Sequence, residues 1–232
     1  VKHSKDGGYA SVFENGYITI MKGTWKIRVI KVTDVPVTYG GKAVHNIMNC
    51  LPAVLSTYFW RNIEIEDIRL ALQTFVPSTT QTPGRLNMFQ FKHFQFLVDF
   101  AHNPAGLELL CDFVSKIDGE PKVGIISGTG DRRDEDIKEL GKISGKYFDE
   151  IIIRQDKNLR GRTAEEIVNL LVEGIKETQP KELPIEIIYN EKEAIMHAYN
   201  NAKPGSLITI MCDVVAEALD LIKGLKEKED TE

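Results

Sequence analysis

Three groups of polar residues have the types and spacing to do chemistry. In Gly41-Lys42-Ala43-Val44-His45-Asn46-Ile47-Met48-Asn49, His45, Asn46 and Asn49 fall on one face at the start of a helical pattern. Carboxamides there present both a donor and an acceptor, which is what the edge of an adenine ring requires. Taken alone, such a cluster is more often helix capping and solvated surface. The second group joins Thr82-Pro83-Gly84-Arg85 to Asp99-Phe100-Ala101-His102-Asn103-Pro104. Asp99 can accept from two hydroxyls, as a ribose binder must, and Arg85 can meet a phosphate with its planar fork. The plain alternative is that Asn103-Pro104 starts a helix and His102 is packed.

The third group is a pair of charged loops. Gly128-Thr129-Gly130-Asp131-Arg132-Arg133-Asp134-Glu135-Asp136 follows one apolar run, and Asp156-Lys157-Asn158-Leu159-Arg160-Gly161-Arg162 follows the next. Glycine allows a tight turn, and arginine there can hold a carboxylate or phosphate. Alternating charge at two successive strand ends favours a ligand site over a solvated loop. Gly128-Thr129-Gly130 is no dinucleotide fingerprint, because Arg133 occupies the third glycine position. A Gly-x-x-x-x-Gly-Lys-Ser/Thr phosphate loop is likewise missing from this sequence.

The elements that must position these groups fall into two sets. Between Tyr9 and Lys31, short apolar runs separated by Gly7-Gly8, Asn15-Gly16 and Lys22-Gly23 predict hairpin strands. Val44, Ile47, Met48, Leu51, Val54 and Leu55 then follow a helical period, and Ile65, Ile68, Leu72 and Phe75 mark a second helix. Pro77 to Gly84 has the composition of a linker. Beyond it, strands are expected near Leu86 to Phe91, Phe94 to Phe100, Val123 to Ser127, Ile151 to Ile153, Ile185 to Ile188 and Leu207 to Met211, the later ones alternating with helices. That alternation predicts a mostly parallel α/β sheet. Thr163 with Glu166, and Asn190 with Glu193, read as capping boxes, and Asp213 as a cap of the last helix.

With 232 residues, 42% apolar and 27% charged, the chain has room for one complete domain and part of another. A net charge of −5 argues against a nucleic-acid or anionic-membrane partner. Cys50, Cys111 and Cys212 are too dispersed for a zinc knuckle and read as buried free thiols in a reducing cytoplasm. No metal-ligating cluster is expected. The chain contains no apolar stretch of membrane-spanning length, and its start at Val1 is expected of a piece cut from a longer protein.

Together these motifs resemble the Mur ligase family over nearly the whole chain. Residues 41 to 49 resemble its His-Asn-x-x-Asn helix, Thr82 to Arg85 its Pro-Gly-Arg linker, and Asp99 to Pro104 the Asp-Tyr-Ala-His opening of its final domain. The resemblance implies a fold: residues 83–232 as a Rossmann-like, mostly parallel sheet with helices on both faces, preceded in 1–82 by a strand and helix remnant of a central ATPase domain. It also implies roles. Asn46 and Asn49 would contact adenine, Asp99 the ribose, Arg85 the phosphates, and His102 the acyl-phosphate region as the catalytic residue. Asn103, Asp131, Arg132, Arg133, Asp134, Asp156, Asn158 and Arg160 would line the incoming amino acid's site.

The implied reaction uses ATP and Mg²⁺ to join an amine to a carboxylate, with Mg²⁺ held mainly by other parts of the parent. The segments 81–85, 99–106 and 128–136 narrow the resemblance to members that attach arginine to an aspartate-containing peptide polymer. With arginine so implied, Asp131, Asp134 and Asp156 could take its guanidinium while Arg132, Arg133 or Arg160 takes its carboxylate. Such a parent would be a homo-oligomer, and this piece alone would be inactive. A muramyl or folyl-polyglutamate ligase with another amino acid, or a degenerate binding module, are the alternatives. Two departures stand out: Pro52 lies inside the first long helix, where it should bend it, and Phe100 replaces the usual tyrosine. A hinge is expected at Ser78 to Arg85.

Overall fold

The computed structural model describes residues 2–178 and 183–231. The chain divides into two compact units, Val1–Pro77 and Ser78–Glu232.

The first unit opens with a single turn, α1 (Lys2–Lys5), and an antiparallel meander of β1 (Ala10–Glu14), β2 (Tyr17–Lys22) and β3 (Trp25–Lys31). Asn15 and Gly16 both take positive φ, 50° and 80°, the two-residue turn that matches strand twist. Two short 3₁₀ turns, Val32–Asp34 and Pro36–Thr38, lead to α2 (Val44–Tyr58), and α3 (Ile65–Thr74) follows. Ile18, Ile20 and Val29 of the sheet pack on Ile47, Cys50 and Val54 of α2 and on Ile68 of α3. Of the predicted periods Ile47, Val54 and Ile68 are buried, whereas Val44, Met48 and Phe75 are exposed and Cys50 takes an inward place the period did not mark. α2 runs through Pro52, which has no N–H to offer the carbonyl of Met48, an exposed position where water can serve instead. Glu64 and Asp67 form a capping box for α3 that the sequence pattern did not reveal.

The second unit contains β4 (Asn87–Gln90), β5 (Gln95–Asp99), α4 (Pro104–Ser115), β6 (Lys122–Ile126), α5 (Asp134–Tyr147), β7 (Glu150–Ile153), α6 (Ala164–Thr178), β8 (Ile185–Ile187), α7 (Glu191–Asn200), β9 (Leu207–Met211) and α8 (Val215–Thr231). Its sheet has the order β4-β5-β9-β6-β7-β8, antiparallel only between β4 and β5. This is the mostly parallel sheet expected from the alternating pattern. β5 and β6, consecutive in the chain, flank β9, which is inserted between them.

Side chains alternate across the sheet. Phe96, Val98, Val123, Ile125, Ile208 and Ile210 meet Ala194, Ile195 and Ala198 of α7 and Ala218, Leu219 and Ile222 of α8. Alternate positions such as Leu97, Gly124 and Ile126 face the other way, where α4 packs on α5 and α5 on α6. The α5/α6 contact is unusually close: a Cβ at Gly141 would meet the carbonyl of Leu171, and one at Gly174 the carbonyl of Lys138. Asn103 caps α4 by accepting from Gly106 N (2.8 Å), and Asn190 caps α7 by accepting from Glu193 N (3.1 Å). Thr163 and Glu166 form the expected reciprocal box at 3.2 and 2.7 Å. Asp213 behaves otherwise than expected: its Oδ2 accepts from Lys157 N (2.8 Å), which joins two strand-end loops.

Gly174→Ala is expected to lose roughly 1–3 kcal/mol by overpacking this contact. Gly224→Ala, in open space on α8, is expected to gain roughly 0.5–1 kcal/mol from helix propensity. Urea unfolding of both variants measures the contrast.

Candidate functional site

The carboxyl ends of β5, β9, β6 and β7 gather most of the predicted polar residues of the second unit. At the end of β5, Asp99 is 8% exposed and its Oδ2 accepts from Leu86 N at 3.0 Å. Burial holds its carboxyl above the ordinary carboxylate range, although the Leu86, Ala101 and Phe100 N–H groups and the nearby Arg85 charge all pull the other way. Arg85 lies over the Phe100 ring (5.4 Å) and donates to Gly84 O (3.2 Å). His102 is exposed, with Nδ1 3.0 Å from Phe100 O and its ring tilted against Phe100. The Asn103 side chain is engaged in its cap.

The β6 and β7 loops are fastened together. Gly130 leaves no room for a side chain against the Leu159 carbonyl, and Arg162 donates to Gly130 O (3.0 Å) and Arg132 O (2.9 Å). Across that seam Asp131 pairs with Arg160, and Asp134 with Arg162 (2.7 Å). Arg133 turns back along its own helix to Asp136 at 2.9 Å, an exposed pair. Asn158 Oδ1 accepts from Arg160 N (2.9 Å), holding the left-handed turn at Arg160 and Gly161. Arg132 is different: its Nε is buried and has no hydrogen-bond partner among the described residues. The acidic first turn of α5, Asp134 to Asp136, suits the positive end of the helix dipole.

One residue that composition and spacing did not single out lies beneath these loops. Arg154, 1% exposed, follows β7 directly. Its Nη1 donates to Asp156 Oδ1 (2.6 Å), its Nη2 to Met211 O at the end of β9, and its Nε lies 3.2 Å from Glu191 Oε2. Asp156 Oδ1 also accepts from Ser127 Oγ (3.1 Å), and Glu191 Oε2 from Asp213 N (2.6 Å). Burial pushes the Glu191 carboxyl up against the opposing pull of Arg154. Asp156, expected to receive a ligand's guanidinium, thus already holds one supplied by the fold. A basic residue closing an apolar strand two positions before an aspartate was the available signal.

In the first unit, Asn46 Nδ2 donates to Val37 O (2.7 Å), tying α2 to the preceding 3₁₀ turn, while Asn49 is exposed on the same helix. The three cysteines are free and buried. Burial pushes the Cys212 thiol up to about 12 and the Cys111 thiol upward as well, so neither is a nucleophile at neutral pH. Among the described residues no group of three or more His, Cys, Asp or Glu side chains gathers as metal ligands, and no helix is long and apolar enough to cross a membrane.

Comparison with known proteins places this geometry. Residues 84–213 match the family described as Mur ligase, glutamate ligase domain. Cyanophycin synthetase of Nostoc sp. is 40% identical over 230 residues, 98% of this chain and 25% of that protein. The Crocosphaera subtropica cyanophycin synthetase is 41% identical over 220 residues, 95% and 25% of the two. The chain thus spans about a quarter of the length of these relatives. Among solved structures, E. coli FolC in complex with ADP shares the fold over 94% of this chain and 47% of that one, with TM-score 0.65 at 16% identity.

Asp99 generates a pH prediction. Its folded-state pKa lies above the unfolded value of about 3.9, so the native state keeps this proton to higher pH than the unfolded chain does. Ionisation therefore removes stability as pH rises from the unfolded value through the folded one. Asp99→Asn lacks that loss and retains an acceptor for Leu86 N. Its unfolding free energy relative to wild type is expected to rise across this window in urea titrations, and a flat difference contradicts the assignment.

Proposed function

Since the chain belongs to the Mur ligase family, we propose that it is part of an ATP-dependent ligase that builds a polymer of aspartate and arginine, as a cyanophycin synthetase would. In this reading a carboxylate of the polymer attacks the γ-phosphorus of ATP, which forms an acyl phosphate and releases ADP. The α-amine of arginine then attacks the acyl carbon, the C–O bond to phosphate breaks, and the amine loses a proton. The products are an amide, ADP and inorganic phosphate.

Within that scheme the first unit contributes Asn46 and Asn49 to the adenine edge. The second unit contributes Asp99 to the ribose hydroxyls, Arg85 to the phosphates and His102 near the acyl phosphate. Mg²⁺ enters with the phosphates of ATP; this chain's described residues gather no set of oxygen ligands for it, and none is assigned to it. The phosphate-cradling loop would come from the length of the relatives that this chain does not span. The whole protein would be a cytoplasmic homo-oligomer.

The observation that carries the amino-acid assignment is the buried, unpartnered Nε of Arg132 beside the Asp131–Arg160 pair. A buried donor without a partner is costly, and an amino-acid carboxylate that reaches it by shifting the β6 loop would satisfy it. The exposed Asp131 then takes the guanidinium, displacing Arg160, because Asp156 is engaged by Arg154. The lid and amino-acid side of the site are thus assigned to the β6 and β7 loops.

In the full-length protein given ATP, Mg²⁺, aspartate and a polymer primer, ADP release is expected to depend on arginine. Dependence on glutamate or diaminopimelate instead would redirect the reading to another ligase of the family, and a folded protein that turns over with no amino acid would remove it. Asp131→Asn is expected to raise the KM for arginine roughly 10- to 150-fold, the equivalent of about 1.5–3 kcal/mol for a charged hydrogen bond. Steady-state rates against arginine concentration at saturating ATP measure this.

A further inference from the structure

We propose that Arg154 is a positioning residue for the amino-acid site, the internal cation that sets where the β7 loop presents Asn158 and Arg160. The proposal rests on the ligase reading above for its substrate, and on geometry alone for its mechanism.

Arg154 lies at the boundary between β7 and its loop; its two Nη nitrogens donate to different elements, and its Nε lies within ion-pair distance of a third without making a hydrogen bond to it. Nη1 holds Asp156 at 2.6 Å, two residues into the same loop. Nη2 reaches the carbonyl of Met211, the last residue of β9. Nε stands 3.2 Å from Glu191, the first residue of α7. Each of those partners fixes a further group. Asp156 Oδ1 also accepts from Ser127 Oγ (3.1 Å), just past the end of β6. Glu191 accepts from Asp213 N (2.6 Å), and Asp213 returns to the β7 loop by accepting from Lys157 N (2.8 Å). The chain of contacts is closed: it leaves Arg154 through Glu191 and re-enters its own loop at Lys157.

Two backbone N–H groups, those of Asp213 and Lys157, therefore owe their partners to the position of one guanidinium. The next residues along, Asn158 and Arg160, sit on the segment so anchored, and Arg160 takes a positive φ of 51° there. A lysine retains the charge of Arg154 but presents a single point, and cannot span a carboxylate, a carbonyl and a second carboxylate at once. Positioning, and not charge alone, is what a lysine removes.

Of the partners of Arg154, Asp156 lies on the β7 loop that carries proposed substrate contacts, Met211 ends β9 and Glu191 opens α7, whereas the apolar cluster of Phe96, Ile125 and Ile208 lies farther back along the strands. Loss of the fork therefore frees the loop without emptying the core.

The test uses the full-length protein with Arg154→Lys and Arg154→Met. Both variants are expected to raise the KM for arginine at least 10-fold with the KM for ATP unchanged, the methionine variant more than the lysine one. Hydrogen exchange at the Lys157 and Asp213 amides is expected to accelerate at least 10-fold, with exchange in the β1 to β3 meander unchanged. A merely structural role would instead lower the melting temperature and kcat and leave the KM for arginine as it was; that result overturns the proposal. Unaltered exchange at the two amides overturns it as well. The exchange readout needs no turnover, so a wild type without arginine-dependent activity ends the ligase reading while Arg154 is still judged on the amides. Should the methionine variant fail to fold, the lysine variant decides.

Discussion

A guanidinium that is 1% exposed, at the point where several parallel strands end, is the constraint around which the second unit is arranged. A buried guanidinium left without partners is untenable. The fold meets it with two carboxylates and a strand-end carbonyl, each from a different element. Removing one partner from such a buried set typically costs about 3–5 kcal/mol, so the members hold one another in place. The charged residues farther out, Asp131, Arg133 and Arg160, remain exposed.

That layering explains why two kinds of charge coexist within a few residues. Asp156 and Arg160 belong to one loop, yet Asp156 is engaged with the interior and Arg160 with an exposed aspartate across the seam. The seam depends on Gly130, because any side chain there would strike the Leu159 carbonyl, and on Arg162, which replaces the backbone partners that two irregular loops cannot offer each other. Asp99 makes the opposite compromise. It is buried with its charge opposed by desolvation, and the cost is tolerable only because backbone N–H groups and Arg85 offset part of it.

The elements were legible in the sequence because they depend on local pattern. The apolar runs at 123–126, 151–153 and 207–211 are strands, and Thr163 with Glu166 and Asn190 are caps, since period and capping act within a few residues. Asn15-Gly16 likewise needed only its own backbone preferences. The pairings were not legible. Arg154 meets a carbonyl 57 positions away, and Asp213 serves a loop 56 positions away instead of its own helix. Charged residues were correctly placed at strand ends, yet which of them turn inward is decided by sheet order, and the insertion of β9 between β5 and β6 is not written in any local spacing. The Asp156 candidate shows the consequence: residue type and position were informative, and its partner decides its role.

On the reading proposed above, the β6 and β7 loops of the second unit receive the amino acid while Arg154 holds them from beneath. A crystal structure of the full-length protein with arginine and a non-hydrolysable ATP analogue is then expected to show the amino-acid carboxylate at Arg132 Nε, its guanidinium at Asp131 with Arg160 displaced, and Arg154 still on Asp156 and Glu191. Arginine bound away from these loops, or a ligand carboxylate that displaces Asp156 from Arg154, would contradict it.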